Sequence, residues 1–191
     1  MSSGICVGGI VEQTCELIRC HGEHGENLSN EAPFEIGDVW EMDVKPAWNA
    51  RPIPHIEDRQ TQAISKYGNI GLNGITEFIK NHASQLPINY GHISEAFQGK
   101  LIFDGYKNYI DQTNIPQFST QFWVPDYDLK YCKAWEKDYY FYKTIRIKFV
   151  GFQNLVPVIP KNTFVRLSLA NWWDGDGSGE KRCYLQLSGW Y

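Results

Sequence analysis

Apolar and polar residues alternate with a period of two in several separate stretches of this chain, and that period constrains the fold more than any other feature. From Tyr139 to Val150, Ile145, Ile147 and Phe149 point one way, and Thr144, Arg146 and Lys148 the other. Val165, Leu167 and Leu169 share a face in Thr163–Ala170, and Cys183, Leu185 and Leu187 share one in Arg182–Ser188. These last two stretches flank Asp174-Gly175-Asp176-Gly177-Ser178-Gly179, a turn-forming run, so they predict a hairpin. In Gly37–Pro46, Trp40, Met42 and Val44 oppose Glu41, Asp43 and Lys45, which predicts a half-buried strand ended by Pro46. Ile5–Val11 and Glu16–Arg19 predict a strand pair. Gln121–Val124 and Leu129–Trp135 predict further short strands.

The middle of the chain changes period. Ile75, Phe78, Ile79 and Ala83 recur at helical spacing before Pro87, and Ile93, Ala96 and Phe97 predict a second short helix ended by Gly99. Residues 21–33 and 47–60 are turn-rich or broken by proline and predict loops. Gly68–Gly74 reads as a flexible link into the first helix. Strands that cluster, rather than alternate with helices, predict a β-rich α+β fold closed as small barrels or a sandwich. The division expected is a first β segment over residues 1–60, a helical insert over 61–119 and a second β segment over 120–191, in one compact unit.

At 191 residues, with 42% hydrophobic and 21% charged, the chain can bury a core without staples and is not expected to be disordered. No run approaches the ~20 apolar residues of a membrane helix. No basic patch followed by an apolar run opens the chain, so no signal peptide is expected. Cys6, Cys15, Cys20, Cys132 and Cys183 are an odd set, which predicts free thiols and a reducing, cytoplasmic setting. A net charge of −4 argues against strong nonspecific phosphate binding, but it hides an asymmetry. Residues 129–191 hold ten Lys and Arg against five Asp and Glu, a net +5, whereas residues 1–128 hold eight against seventeen, a net −9. The basic third either faces a polyanion or attracts the acidic remainder.

Four groups of residues could carry function. His55, with Glu57 or Asp58 orienting it and Arg51 nearby, could be a general base; otherwise Pro54 braces a loop whose carboxylates tie down amides or Arg51. Cys20, His21 and His24 could ligate zinc, but without the paired spacing of structural sites; otherwise they lie in a polar loop. Trp172 and Trp173, followed by Lys181 and Arg182, could stack on a base and meet a phosphate, or could cap a barrel end. Thr144, Arg146 and Lys148, with Lys143, Arg166, Tyr140 and Tyr142, could form a basic aromatic sheet face or an ordinary solvated one. No phosphate loop, dinucleotide fingerprint, nucleophile elbow or HExxH motif occurs, and no cofactor is expected.

Cys6-Val7-Gly8-Gly9-Ile10 with Leu17-Ile18-Arg19, then Phe34–Glu41, Pro54–Asp58, Arg166–Leu169 and Cys183-Tyr184-Leu185, resemble the bacterial dual-OB-containing domain family. Glu16 keeps the pattern of that family's second strand, whereas Cys15 and Leu17 stand at its glycine and tryptophan positions. The resemblance covers the two ends of the chain and leaves residues 61–119 unexplained. It implies two OB-like antiparallel β-barrels packed together, and a role in nucleic-acid modification or defence, with no catalytic residue to carry over. The function expected is noncatalytic recognition of single-stranded or modified nucleic acid. The alternatives are a nucleotide-modifying enzyme using His55, Glu57 and Asp58, and a protein-interaction subunit with exposed aromatic residues.

Overall fold

The computed structural model describes residues 4–46, 53–175, 177 and 179–191. The chain divides into two units, Met1–Leu86 and Pro87–Tyr191. In the first, strands β1 (Val7–Ile10), β2 (Leu17–His21), β3 (Asp38–Pro46) and β4 (Asp58–Asn69) form a sheet in the order β1-β2-β4-β3. The predicted strand pair is antiparallel β1–β2, with Gly9 opposite Ile18. Strand β4 runs parallel to β2 and antiparallel to β3. In the edge strand β3, Trp40 and Met42 are partly buried while Glu41 and Asp43 are exposed, the half-buried alternation expected, but Val44 beyond them is exposed. Trp40 is partly covered by the Phe34 ring, 5.4 Å away.

Helix α1 (Gly71–Asn81) follows β4. Its start is pinned rather than flexible. The Asn69 side-chain oxygen accepts the Gly71 N–H at 2.8 Å, and its amide nitrogen donates to Asp38 Oδ1 at 2.8 Å. Gly37, with φ of +90°, lies so close that a Cβ there would come within 2.8 Å of the Gly71 nitrogen, so only glycine fits. At the other end His82 stacks on Phe78 and bonds to its carbonyl at 2.9 Å.

The second unit carries β5 (Ile88–Gly91), β6 (Ile102–Asp104), β7 (Lys107–Asp111), β8 (Thr120–Pro125), β9 (Leu129–Ala134), β10 (Lys137–Tyr142), β11 (Ile145–Phe149), β12 (Val158–Ile159), β13 (Val165–Leu169) and β14 (Arg182–Trp190). The main path runs β12-β9-β10-β11-β14-β13-β8-β5, with β7 joining β14 and β6 pairing with β7. The predicted hairpin is β13–β14. The stretch Tyr139–Val150 is two strands rather than one: it turns at Lys143, whose φ is +53°, and Tyr142 pairs with Ile145. The predicted second helix is a pair of short turns, Ile93–Glu95 and Ala96–Gly99, with Phe97 and Gln98 in the left-handed region. Residues 61–119 therefore hold most of β4, helix α1, these turns and strands β5–β7.

Alternation sets the core. Cys183, Leu185 and Leu187 of β14, Leu167 and Leu169 of β13, and Ile147 of β11 point inward, and Ile93, Ala96, Phe97 and Leu101 pack with them. Each fully buried aliphatic side chain contributes ~1.5–3 kcal/mol. Among the described residues no circuit of strand pairings closes, so neither unit is the closed barrel expected; the chain is β-rich with few helices. Among the same residues no helix is long and apolar enough to cross a membrane. Replacing Leu167, fully buried, by Ala should lower unfolding stability by ~2–5 kcal/mol in a denaturant titration. A loss below ~1 kcal/mol would place it outside the tight core.

Candidate functional site

The polar face of the second unit's sheet follows from the same alternation. Arg182, Tyr184, Gln186 and Ser188 of β14 point away from the core, as do Arg146 and Lys148 of β11. The β10–β11 register sets Phe141 opposite Arg146 and Tyr139 opposite Lys148, so Tyr139 and Phe141 share this face. Tyr140 and Tyr142, expected beside the cations, are instead fully buried, because the turn at Lys143 separates the strands and fixes their register. Tyr142 donates to Asp126, and burial together with that bond pushes the Tyr142 phenol above its ordinary range. Lys143 sits over the Tyr127 ring and pairs with Asp126 at 3.9 Å.

Arg146 is the centre of the face. Its guanidinium carbon lies 4.5 Å from the Tyr139 ring centroid, 4.6 Å from Tyr106 and 4.6 Å from Trp135. Tyr106 and Trp135 stand on the two-residue turns of hairpins β6–β7 and β9–β10. The Asn108 amide of β7 donates to the Arg146 carbonyl at 2.7 Å, which ties the first hairpin to β11. Neither Arg146 nor Lys148 makes an ion pair among the described residues.

A shallow depression of about 210 Å3 adjoins this group, lined by Lys107, Trp173, Gly175, Glu180, Arg182 and Tyr184. The tandem tryptophans part company there. Trp172 packs against the core, whereas Trp173 is 58% exposed. Backbone bonds between Trp173 and Arg182, both 3.0 Å, hold the exposed indole beside β14. The ring lies over Gly175 so closely that any Cβ there would overlap it. Arg182 is engaged by the Tyr109 ring at 4.5 Å and by Glu180 at 3.3 Å. Asp111 stands opposite Arg182, and its carboxyl is held below the ordinary range by the Thr113 hydroxyl and by Arg182. Positive charge is therefore less compensated at Arg146 and Lys148 than at Arg182. Lys181 is exposed, its N–H bonded to Gln112 at 3.2 Å. Arg166 lies on β13, on the far side of β14 from β11.

The first unit gathers a different group. Parallel pairing sets Arg19 opposite Asp58, and Arg19 Nε donates to Asp58 Oδ1 at 2.5 Å. His21 Nε2 lies 3.3 Å from the same oxygen. All three residues are buried, and so are His55 and Glu57. Burial pushes the Asp58 carboxyl up, but the adjacent His21 and the hydrogen bond from Arg19 outweigh it and hold the group well below the usual carboxylate range. Asp58 thus serves a buried ion pair, and His55 and Glu57 are closed off from solvent. Arg51 lies outside the described residues. Cys20 and His21 are buried in β2 while His24 is exposed in the following turn, so the three do not converge. Among the described residues no three His, Cys, Asp or Glu side chains gather to hold a metal ion.

Sequence reasoning misses Tyr106, Trp135 and Tyr139 on the one face, and Arg19 in the buried group. Asp104-Gly105 is a hairpin-turn signal that marks the Tyr106 tip. Nothing local marks Arg19, whose partner is 39 residues away. No protein-family model, curated protein or solved structure matches the chain.

Asp58→Asn keeps the shape but leaves Arg19 buried beside a neutral amide. It should destabilise the first unit by ~3–5 kcal/mol, read from hydrogen exchange of β2 and β4. Because the folded Asp58 carboxyl is depressed, its contribution is complete above the ordinary carboxylate pKa and fades as pH falls. Wild-type stability should therefore drop below about pH 4, and the variant should lose this part of the dependence. A variant with unchanged acid sensitivity would contradict the assignment.

Proposed function

We propose that the second unit recognises single-stranded nucleic acid on the outward face of its sheet and performs no chemistry on it. The observation that carries this reading is Lys148, free of ion pairs among the described residues, on the same strand as Arg146, whose guanidinium gathers the exposed Tyr106 and Trp135 rings. Single strands are held by cations that follow the backbone and rings on which bases stack, and OB folds use a sheet surface in this way. Trp173, Lys107, Tyr184 and Arg182, which line one depression, extend the surface, and exposed Lys181 precedes Arg182 in the chain. The resemblance to the bacterial dual-OB-containing domain family points to the same ligand and to a genome-maintenance or defence setting. The buried cysteines Cys15, Cys20 and Cys183 suit a reducing cytoplasm.

An enzymatic role for His55, Glu57 and Asp58 would need the first unit to open, since these side chains are buried. A protein-interaction role has one specific observation in its favour. The β3–β4 ribbon exposes Val44, Ile64 and Tyr67, and Leu72 is exposed at the start of α1. That role predicts a species of twice the chain's mass in sedimentation, which Ile64→Lys would dissociate.

The nucleic-acid reading predicts that an oligothymidylate binds with an affinity that falls linearly with salt on logarithmic axes. Lys148→Ala should weaken all sequences alike and reduce the slope by about 0.7. Absence of binding at about 50 mM salt, with the fold intact by circular dichroism, would refute the reading.

A further inference from the structure

Trp135 is in an unusual backbone state for its type. It has φ of +48° and Glu136 has φ of +58°, in a two-residue turn closed by Ala134 and Lys137. Hairpin turns of this kind favour Asn-Gly or Asp-Gly, and a bulky side chain in the left-handed region is an outlier. The turn nevertheless carries a tryptophan that is 70% exposed. Across from it, the β6–β7 turn presents Tyr106, 66% exposed. Both rings meet one buried-edged cation, Arg146, whose Nε is shielded from solvent without a hydrogen-bond partner among the described residues. The guanidinium carbon lies within 4.6 Å of three ring centroids, a geometry that fixes the rings.

We infer that Tyr106 and Trp135 form a base-stacking platform for two unstacked nucleobases of a single strand, and that Arg146 is a positioning residue which holds the rings rather than a phosphate contact. The inference rests on the nucleic-acid reading and names the ligand groups taken at that site. Lys107, next to Tyr106, and Lys148, two residues from Arg146, flank the platform and supply the charge that meets the backbone. Stacking tolerates any base, so the site discriminates single strands from duplexes and not one sequence from another.

The test uses the full chain and an oligothymidylate of about ten nucleotides, with an abasic strand of the same phosphate count as a second probe. Trp135→Asn removes the ring while suiting the turn, since asparagine accepts positive φ, so the hairpin is retained. The variant should bind the oligothymidylate about tenfold more weakly and the abasic strand unchanged, and wild type should bind the abasic strand about tenfold less tightly than the base-bearing one. Arg146→Met should weaken the oligothymidylate with its salt slope intact. A slope reduced by about 0.7, as for Lys148→Ala, would make Arg146 a phosphate contact and overturn its positioning role. If wild type binds the oligothymidylate but Trp135→Asn binds it equally, the platform is wrong while the nucleic-acid reading stands. Failure of wild type to bind either probe at low salt overturns both. Salt-independent binding of a neutral oligosaccharide that Trp135→Asn abolishes would assign the rings to sugars and overturn the inference.

Discussion

The two-sidedness of β14 is the constraint on which the second unit depends. One row of its side chains enters the core, and the other stands on the polar face. The strand pairs with β11, β13 and β7, so its alternation is transmitted to each neighbour. A slip of one residue would turn Cys183, Leu185 and Leu187 outward and drive Arg182 and Tyr184 into the core. Burial of the inward row thus fixes the position of the polar row. The placement of Arg146 and Lys148 is a consequence of packing.

Charge on that face is managed unevenly. Arg182 has a carboxylate and a ring, so its field is largely met within the protein. Arg146 has rings in place of a carboxylate. Cation–π contacts hold its position without cancelling its charge, which leaves a fixed positive centre beside exposed apolar rings. The chain's net charge of −4 does not bear on this local arrangement, because screening confines such fields to about a Debye length. In the first unit the opposite arrangement prevails. Arg19, His21 and Asp58 are closed in upon one another, each buried beside the others.

Most strands were legible in the sequence because period-two alternation reports burial of one face. Strands β1, β2, β3, β8, β9, β13 and β14 fall where alternation or an apolar run places them, and α1 falls where Ile75, Phe78 and Ile79 recur. Strand β4 was not legible. It is largely polar and exposed beyond Thr61, so its β structure comes from pairing with β2 and β3 rather than from a buried face. The break between β10 and β11 escaped for a related reason: Lys143 carries no turn signature, and a positive φ at lysine is set by the hairpin itself. On the candidate site, Arg146 and Lys148 were legible from alternation, and the exposure of one of the two tryptophans from their adjacency. The meeting of Tyr106, Trp135 and Tyr139 at Arg146 depends on tertiary packing of three hairpins, which no local pattern encodes.

A single strand held on the outward face of the second unit's sheet should perturb that face alone in an amide-resolved NMR titration of the full chain. Shifts should cluster on β7, β10, β11 and β14 and on the turns bearing Tyr106 and Trp135, with the first unit silent. Shifts centred on the β3–β4 ribbon or around His55, or none at any strand concentration, would contradict this placement.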